Sequence, residues 1–92
     1  MDNDKFIELC KKKVVDYTNT FMNLNSIDRP VHISTGDVYV VWLNRTLQNN
    51  KALLLTTVSN GMYYEVTYNG DKNELYFDAY SHVHNRAFKL NE

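Results

Sequence analysis

The stretch GDVYVVWLNRTLQNNKALLLTTVSNGMYYEVTYNGDKNELYFDAY, from Gly36 to Tyr80, contains four apolar runs separated by turn-forming residues. Val, Leu, Tyr, Trp and Thr dominate the runs, which suits strands. Asn49-Asn50 separates the first run from the second. Asn60-Gly61 is a type I′ hairpin signal, because both residues tolerate positive φ. Asn69 to Lys72 contains Asn-Gly and supports a longer loop. Together the turns predict an antiparallel meander with strands near 37–48, 51–58, 62–68 and 74–82.

Strand side chains alternate between faces, so each turn also predicts a register. A two-residue turn at Asn60-Gly61 sets Leu55 opposite Val66, and a loop over 69–72 sets Val66 opposite Leu75. A two-residue turn at Asn49-Asn50 sets Trp42 opposite Thr57. The three turns agree on one face: Val38, Val40, Trp42, Leu53, Leu55, Tyr64, Val66, Leu75 and Phe77. The opposite face then carries Tyr39, Val41, Leu43, Arg45, Leu47, Ala52, Leu54, Thr56, Val58, Tyr63, Glu65, Thr67, Tyr76, Asp78 and Tyr80. It is apolar in its first two strands, where a solvated face carries Lys, Glu and Ser.

Only one helix is available to cover such a sheet. Phe6, Leu9, Cys10, Val14, Tyr17, Phe21 and Leu24 recur at spacings of three and four, the pattern of one helical face. Asn3 or Asp4 suits its cap. At least two of Lys11, Lys12 and Lys13 should face water. The fold class expected is therefore α+β, one N-terminal helix packed on a four- to five-stranded antiparallel β-meander. The expected organisation is a single domain over 1–92, with the helix at about 4–24, a linker at 25–36 and the sheet over 37–90. The fifth strand would come from Arg86 to Leu90. A second apolar sheet face with no second helix implies a partner or self-association.

Composition narrows the function. With 92 residues and 43% hydrophobic content the chain is a small folded protein, not a disordered one. Ten basic and eleven acidic residues give no general reason to bind nucleic acid. The single cysteine, Cys10, cannot form an internal disulfide, and the charged start MDNDKFIELC lacks a signal peptide's apolar core. No run approaches the roughly 18–20 apolar residues that span a bilayer. A cytoplasmic protein without membrane contact is expected.

Chemistry-bearing motifs are scarce. The three glycines are scattered and form no phosphate loop. His82 and His84 share a strand face with Asp78, but a third convergent ligand is missing, so neither a metal nor another cofactor is expected. Glu65 and Asp78 read as cross-strand polar partners rather than an acid–base pair. No enzyme is expected. The combination with most promise is basic residues beside aromatic rings, where rings stack on a base and cations meet phosphate. Arg45, Lys51, Tyr63 and Tyr64 are the expected ligand-binding residues. Tyr39, Val41, Leu43, Leu54 and Val58 are the expected oligomer interface.

TLQNNKALLLTT (Thr46–Thr57) and GMYYEVTYNGDKNELYFDAY (Gly61–Tyr80), with the lead-in GDVYVVW (Gly36–Trp42) and the helix FIELCKKKVVDY, carry a family likeness. They resemble a family of small proteins of unknown function encoded by phages and prophages of Gram-positive bacteria. After Tyr80 the likeness fades, since Ser81-His82-Val83-His84 stands where the family is Lys-rich. The resemblance transfers no activity and no functional residue. It implies a phage accessory protein in the host bacterial cytoplasm, and small proteins of that kind often antagonise host defence. The expected function is a homo-oligomeric, non-enzymatic module that sequesters a small nucleotide-like signal. The alternative is an inhibitor that binds a host defence protein directly through an apolar sheet face or edge.

Overall fold

The structure, a computed structural model, describes residues 1–22, 32–58, 61–81 and 87–90. The first element, α1, spans Asn3–Tyr17. Its cap is Asp2, one residue earlier than the sequence suggests: Asp2 is extended, and its carboxylate accepts the Lys5 N–H at 2.8 Å. The chain continues as a π-helical turn over Thr18–Met22. Phe6, Cys10, Val14 and Thr18 recur every four residues and are fully buried. Lys12 and Lys13 face water. Burial pushes the Cys10 thiol up to about 12, so it stays neutral. Thr18 is the polar member of the stripe, and its hydroxyl lies 3.4 Å from that of Tyr64, so two buried groups satisfy each other.

Four strands follow: β1 Val38–Thr46, β2 Asn49–Thr56, β3 Met62–Asn69 and β4 Glu74–Ser81. They form one antiparallel sheet in the order β1-β2-β3-β4. The expected α+β fold with one N-terminal helix is the observed one. Residues 87–90 carry no strand, and Arg86, His82 and His84 lie outside the described residues, as does most of the expected linker. Within the described part of that linker, Ile33 is buried. The Asn19 side-chain amide grips both backbone groups of Ile33, at 2.9 and 2.8 Å. A 3-10 turn over Thr35–Asp37 then leads into β1.

The first two turns differ from the sequence reading. β1 and β2 are joined at Leu47 and Gln48, because Thr46 pairs with Asn49. Asn49-Asn50 belongs to β2 instead. Leu54 pairs with Tyr64, so β2 and β3 are joined by a loop longer than two residues. Gly61 does adopt the expected positive φ, at 72°. The β2–β3 register differs by three from the expected one, and an odd shift reverses every side chain of β2. Ala52, Leu54 and Thr56 therefore lie under the helix, not Leu53 and Leu55.

A second change occurs inside β1. Val40 pairs with Leu54 but Trp42 pairs with Leu53, so Val41 is an extra residue, a β-bulge. The bulge swaps the parity of the strand. Val38 and Val40 face the helix, then Leu43 does; Trp42 turns to the far side at 41% exposure. The β3–β4 pairing is shifted by two, an even number, so its faces stay as the sequence implies. Val66 pairs with Phe77 and Tyr64 with Ala79, all toward the helix. The core comprises Phe6, Cys10, Val14, Ile33, Val38, Ala52, Leu54, Tyr64 and Val66.

Candidate binding face

α1 lies on one side of the sheet, and no described element packs on the other. Register places three cross-strand rows there. The first holds Tyr39, Leu55, Tyr63 and Tyr80; the second Trp42, Leu53, Glu65 and Asp78; the third Asn44, Lys51, Thr67 and Tyr76. Tyr39, Trp42, Tyr76 and Tyr80 are each about two-fifths to one-half exposed. Tyr63 and Tyr80 stack, with ring centroids 4.9 Å apart and planes 16° from parallel. Antiparallel pairing brings such rings into register without help from the core.

The charges on this face sit in its middle. Lys51 and Glu65 form an ion pair across β2 and β3. The hydrogen bond to Glu65, reinforced by its charge, holds the Lys51 ammonium above its usual range. Asp78 stands opposite Glu65. The charge of Asp78, followed by burial and the charge of Glu65, raises the Tyr80 phenol. Tyr76 donates to Glu74, and that hydrogen bond raises its phenol. One cation, Lys51, thus sits among two carboxylates, Glu65 and Asp78, and a third, Glu74, lies at the start of β4 beside Tyr76. Lys51 helps line a shallow depression of about 190 Å³ with Asn44, Thr46, Asn49, Asn50 and Thr67, whose exposed wall is mostly carbon.

The four expected ligand residues do not converge. Lys51 and Tyr63 are on the open face. Tyr64 is fully buried under the helix against Tyr17 and Phe77, so it meets no ligand from solvent. Arg45 pairs with the buried Asn50, on the helix side of the sheet, because the bulge reversed its parity. The expected interface residues divide similarly. Tyr39 and Val41 are exposed, whereas Leu54 is in the core and Leu43 and Val58 pack against it. Sequence reasoning missed Trp42, Leu53 and Leu55 on this face. It placed Tyr76 and Tyr80 there without naming them as contact residues, although their alternation with Leu75, Phe77 and Ala79 was the available signal.

No group of three metal-ligating side chains occurs among the described residues. No helix among them is long and apolar enough to cross a membrane. No curated protein and no solved structure matches the chain. A family model does match, over residues 7–90, and the chain belongs to that family, DUF6275, a family of unknown function.

Proposed function

We propose that this member of a family of unknown function is a non-enzymatic interaction protein that docks another protein on its open sheet face. In the setting of a phage accessory protein inside a bacterium, that partner is a host defence protein held inactive. One observation carries the reading: exposed Tyr39, Trp42, Tyr76 and Tyr80 flank the Lys51–Glu65 pair on a sheet face that no described element covers. Aromatic rings bring large contact area with few rotors to fix, which is why they dominate binding energetics at protein interfaces. The excess of carboxylates favours a partner patch that is apolar with a basic centre.

A nucleotide-like ligand is the second reading, favoured by the depression that Lys51 helps line. It is the weaker one, because Lys51 is already neutralised by Glu65 and a further carboxylate, Asp78, repels phosphate.

Affinity capture from lysate of the natural host separates them. Wild-type protein is compared with Trp42→Ser, Tyr80→Ser, Lys51→Ala and, as a surface control, Lys12→Ala. A stoichiometric protein partner, lost at least about tenfold with Trp42→Ser and Tyr80→Ser and retained with Lys12→Ala, supports docking on this face. A nucleotide released from heat-denatured wild type, and missing from Lys51→Ala, sinks docking and favours the second reading.

A further inference from the structure

The two edges of the sheet are built differently. β1 carries the bulge at Val41 and, one residue before its end, a charged Arg45. Bulges and basic side chains are the ordinary protections of an edge against pairing with another chain. β4 has neither. It pairs with β3 through eight consecutive residues, Glu74 to Ser81, without a shift, and it contains no Pro, Lys or Arg. Among the described residues no strand pairs with its outer side.

The side chains of β4 are also incompletely covered. Tyr64 and Val66 on β3 are fully buried, but their partners Ala79 and Phe77, and Leu75 beside them, remain partly exposed. The main strand contacts of α1 are with β1 and β2. Its end reaches β4 through Tyr17, whose ring lies 5.5 Å from that of Phe77.

We infer that β4 is a homodimer interface: β4 of a second copy pairs with it antiparallel, centred on Phe77, and the two sheets join into one of eight strands. The sequence of β4 selects both partner and register. In an antiparallel two-fold pairing, residues directly opposite share a face, and like charges in that position repel. Centring on Phe77 sets Tyr76 opposite the second copy's Asp78, Glu74 opposite Tyr80, and Leu75 opposite Ala79. Each carboxylate then meets a phenol, and each larger apolar side chain meets a smaller one or its own kind. Centring one residue later sets Asp78 against Asp78. Pairing by an odd offset sets Phe77 against Asp78 and turns the two helices to opposite sides. The favoured register also keeps both open faces on one side. This interface does not depend on what docks there.

Cysteine crosslinking at the proposed contact tests it. Strand partners opposite each other lie within disulfide reach, and residues 76 and 78 of one chain project too far apart to bond. Native Cys10 is fully buried and does not compete. The double variant Tyr76→Cys/Asp78→Cys should run as a covalent dimer under mild oxidation, while each single variant stays monomeric on a denaturing gel. Crosslinking by Asp78→Cys alone overturns the register. In parallel, light scattering across a concentration series should give twice the chain mass for wild type and for Trp42→Ser. It should give a single chain for Ala79→Lys, whose inward-pointing charge blocks the edge. Loss of the dimer with Trp42→Ser but not with Ala79→Lys moves the interface to the open face and overturns the proposal. A wild-type monomer with no crosslink in the double variant also overturns it.

Discussion

Leu47 holds φ at 56°, in the left-handed region, at the tip of the β1–β2 hairpin, with 84% of its surface exposed. A side chain with a Cβ is disfavoured there by roughly 1–2 kcal/mol, part of which a glycine returns through its looser unfolded chain. Leu47→Gly is therefore expected to raise stability by about 0.5–1 kcal/mol, read as a higher midpoint in urea. A lower midpoint would place the turn elsewhere. This tip was illegible in the sequence because Leu-Gln has no turn signature, while the adjacent Asn49-Asn50 has a strong one. Both asparagines are used for something else. Asn50 is buried and donates to Asn3 at 3.4 Å, and Asn49 accepts the Gly70 N–H at 3.2 Å. Gly70 itself has no room for a Cβ, which would stand 2.3 Å from the Gln48 carbonyl oxygen. The two hairpin tips are thus in contact, and the Asn-Gly signal at 69–70 was legible as a loop but not as a contact with another turn.

Between elements, the joint that matters most is the one between the helix end and the segment leading to β1. Asn19, in the π-helical turn, replaces a strand neighbour for Ile33 by giving its backbone both a donor and an acceptor. Downstream, Asp37 accepts the Ser34 N–H at 3.0 Å and its backbone carbonyl accepts the Thr57 N–H at 2.8 Å, which ties this segment to the end of β2. The Ser34 hydrogen bond holds the Asp37 carboxyl below its usual range. Asn19→Ala should cost about 2 kcal/mol, since two partly buried backbone groups lose their partners. Chemical denaturation checks it, and an unchanged midpoint would mean that water substitutes for the amide. Helix and strands differed in legibility for a physical reason. β3 and β4 alternate along their whole length, so their faces were readable despite a shift of two. Leu53-Leu54-Leu55 offers either face to a core, so the face of β2 depended wholly on turns that were misplaced.

For the whole molecule, one helix over one face was legible from the count of amphipathic segments, and so was the surplus of apolar strand residues. Which residues make up the open face was not legible, because that depends on parity, and parity changes with a single extra residue. The open surface is consequently richer in rings and poorer in aliphatic side chains than the uninterrupted alternation implies, with Trp42 in place of Leu43. The bulge that causes this has a genetic counterpart. Removing Val41 closes the ladder between Val40–Leu54 and Trp42–Leu53 without moving any other pair, so the chain can lose this codon and keep every side chain on its present face. Deleting Leu43 instead removes the bulge only by forcing the larger Trp42 into the helix-side place that Leu43 fills. Val40 and Val41 are the same residue, so deleting either codon gives one and the same protein. It should stay soluble and folded with a melting temperature within a few degrees of wild type, an allowance of about 1 kcal/mol, whereas the Leu43 deletion should not. Equal tolerance of the two deletions would show that the sheet does not hold its register here. Descendants of this chain are accordingly free to lose one residue of the Val40-Val41 pair in their first strand and constrained at Leu43.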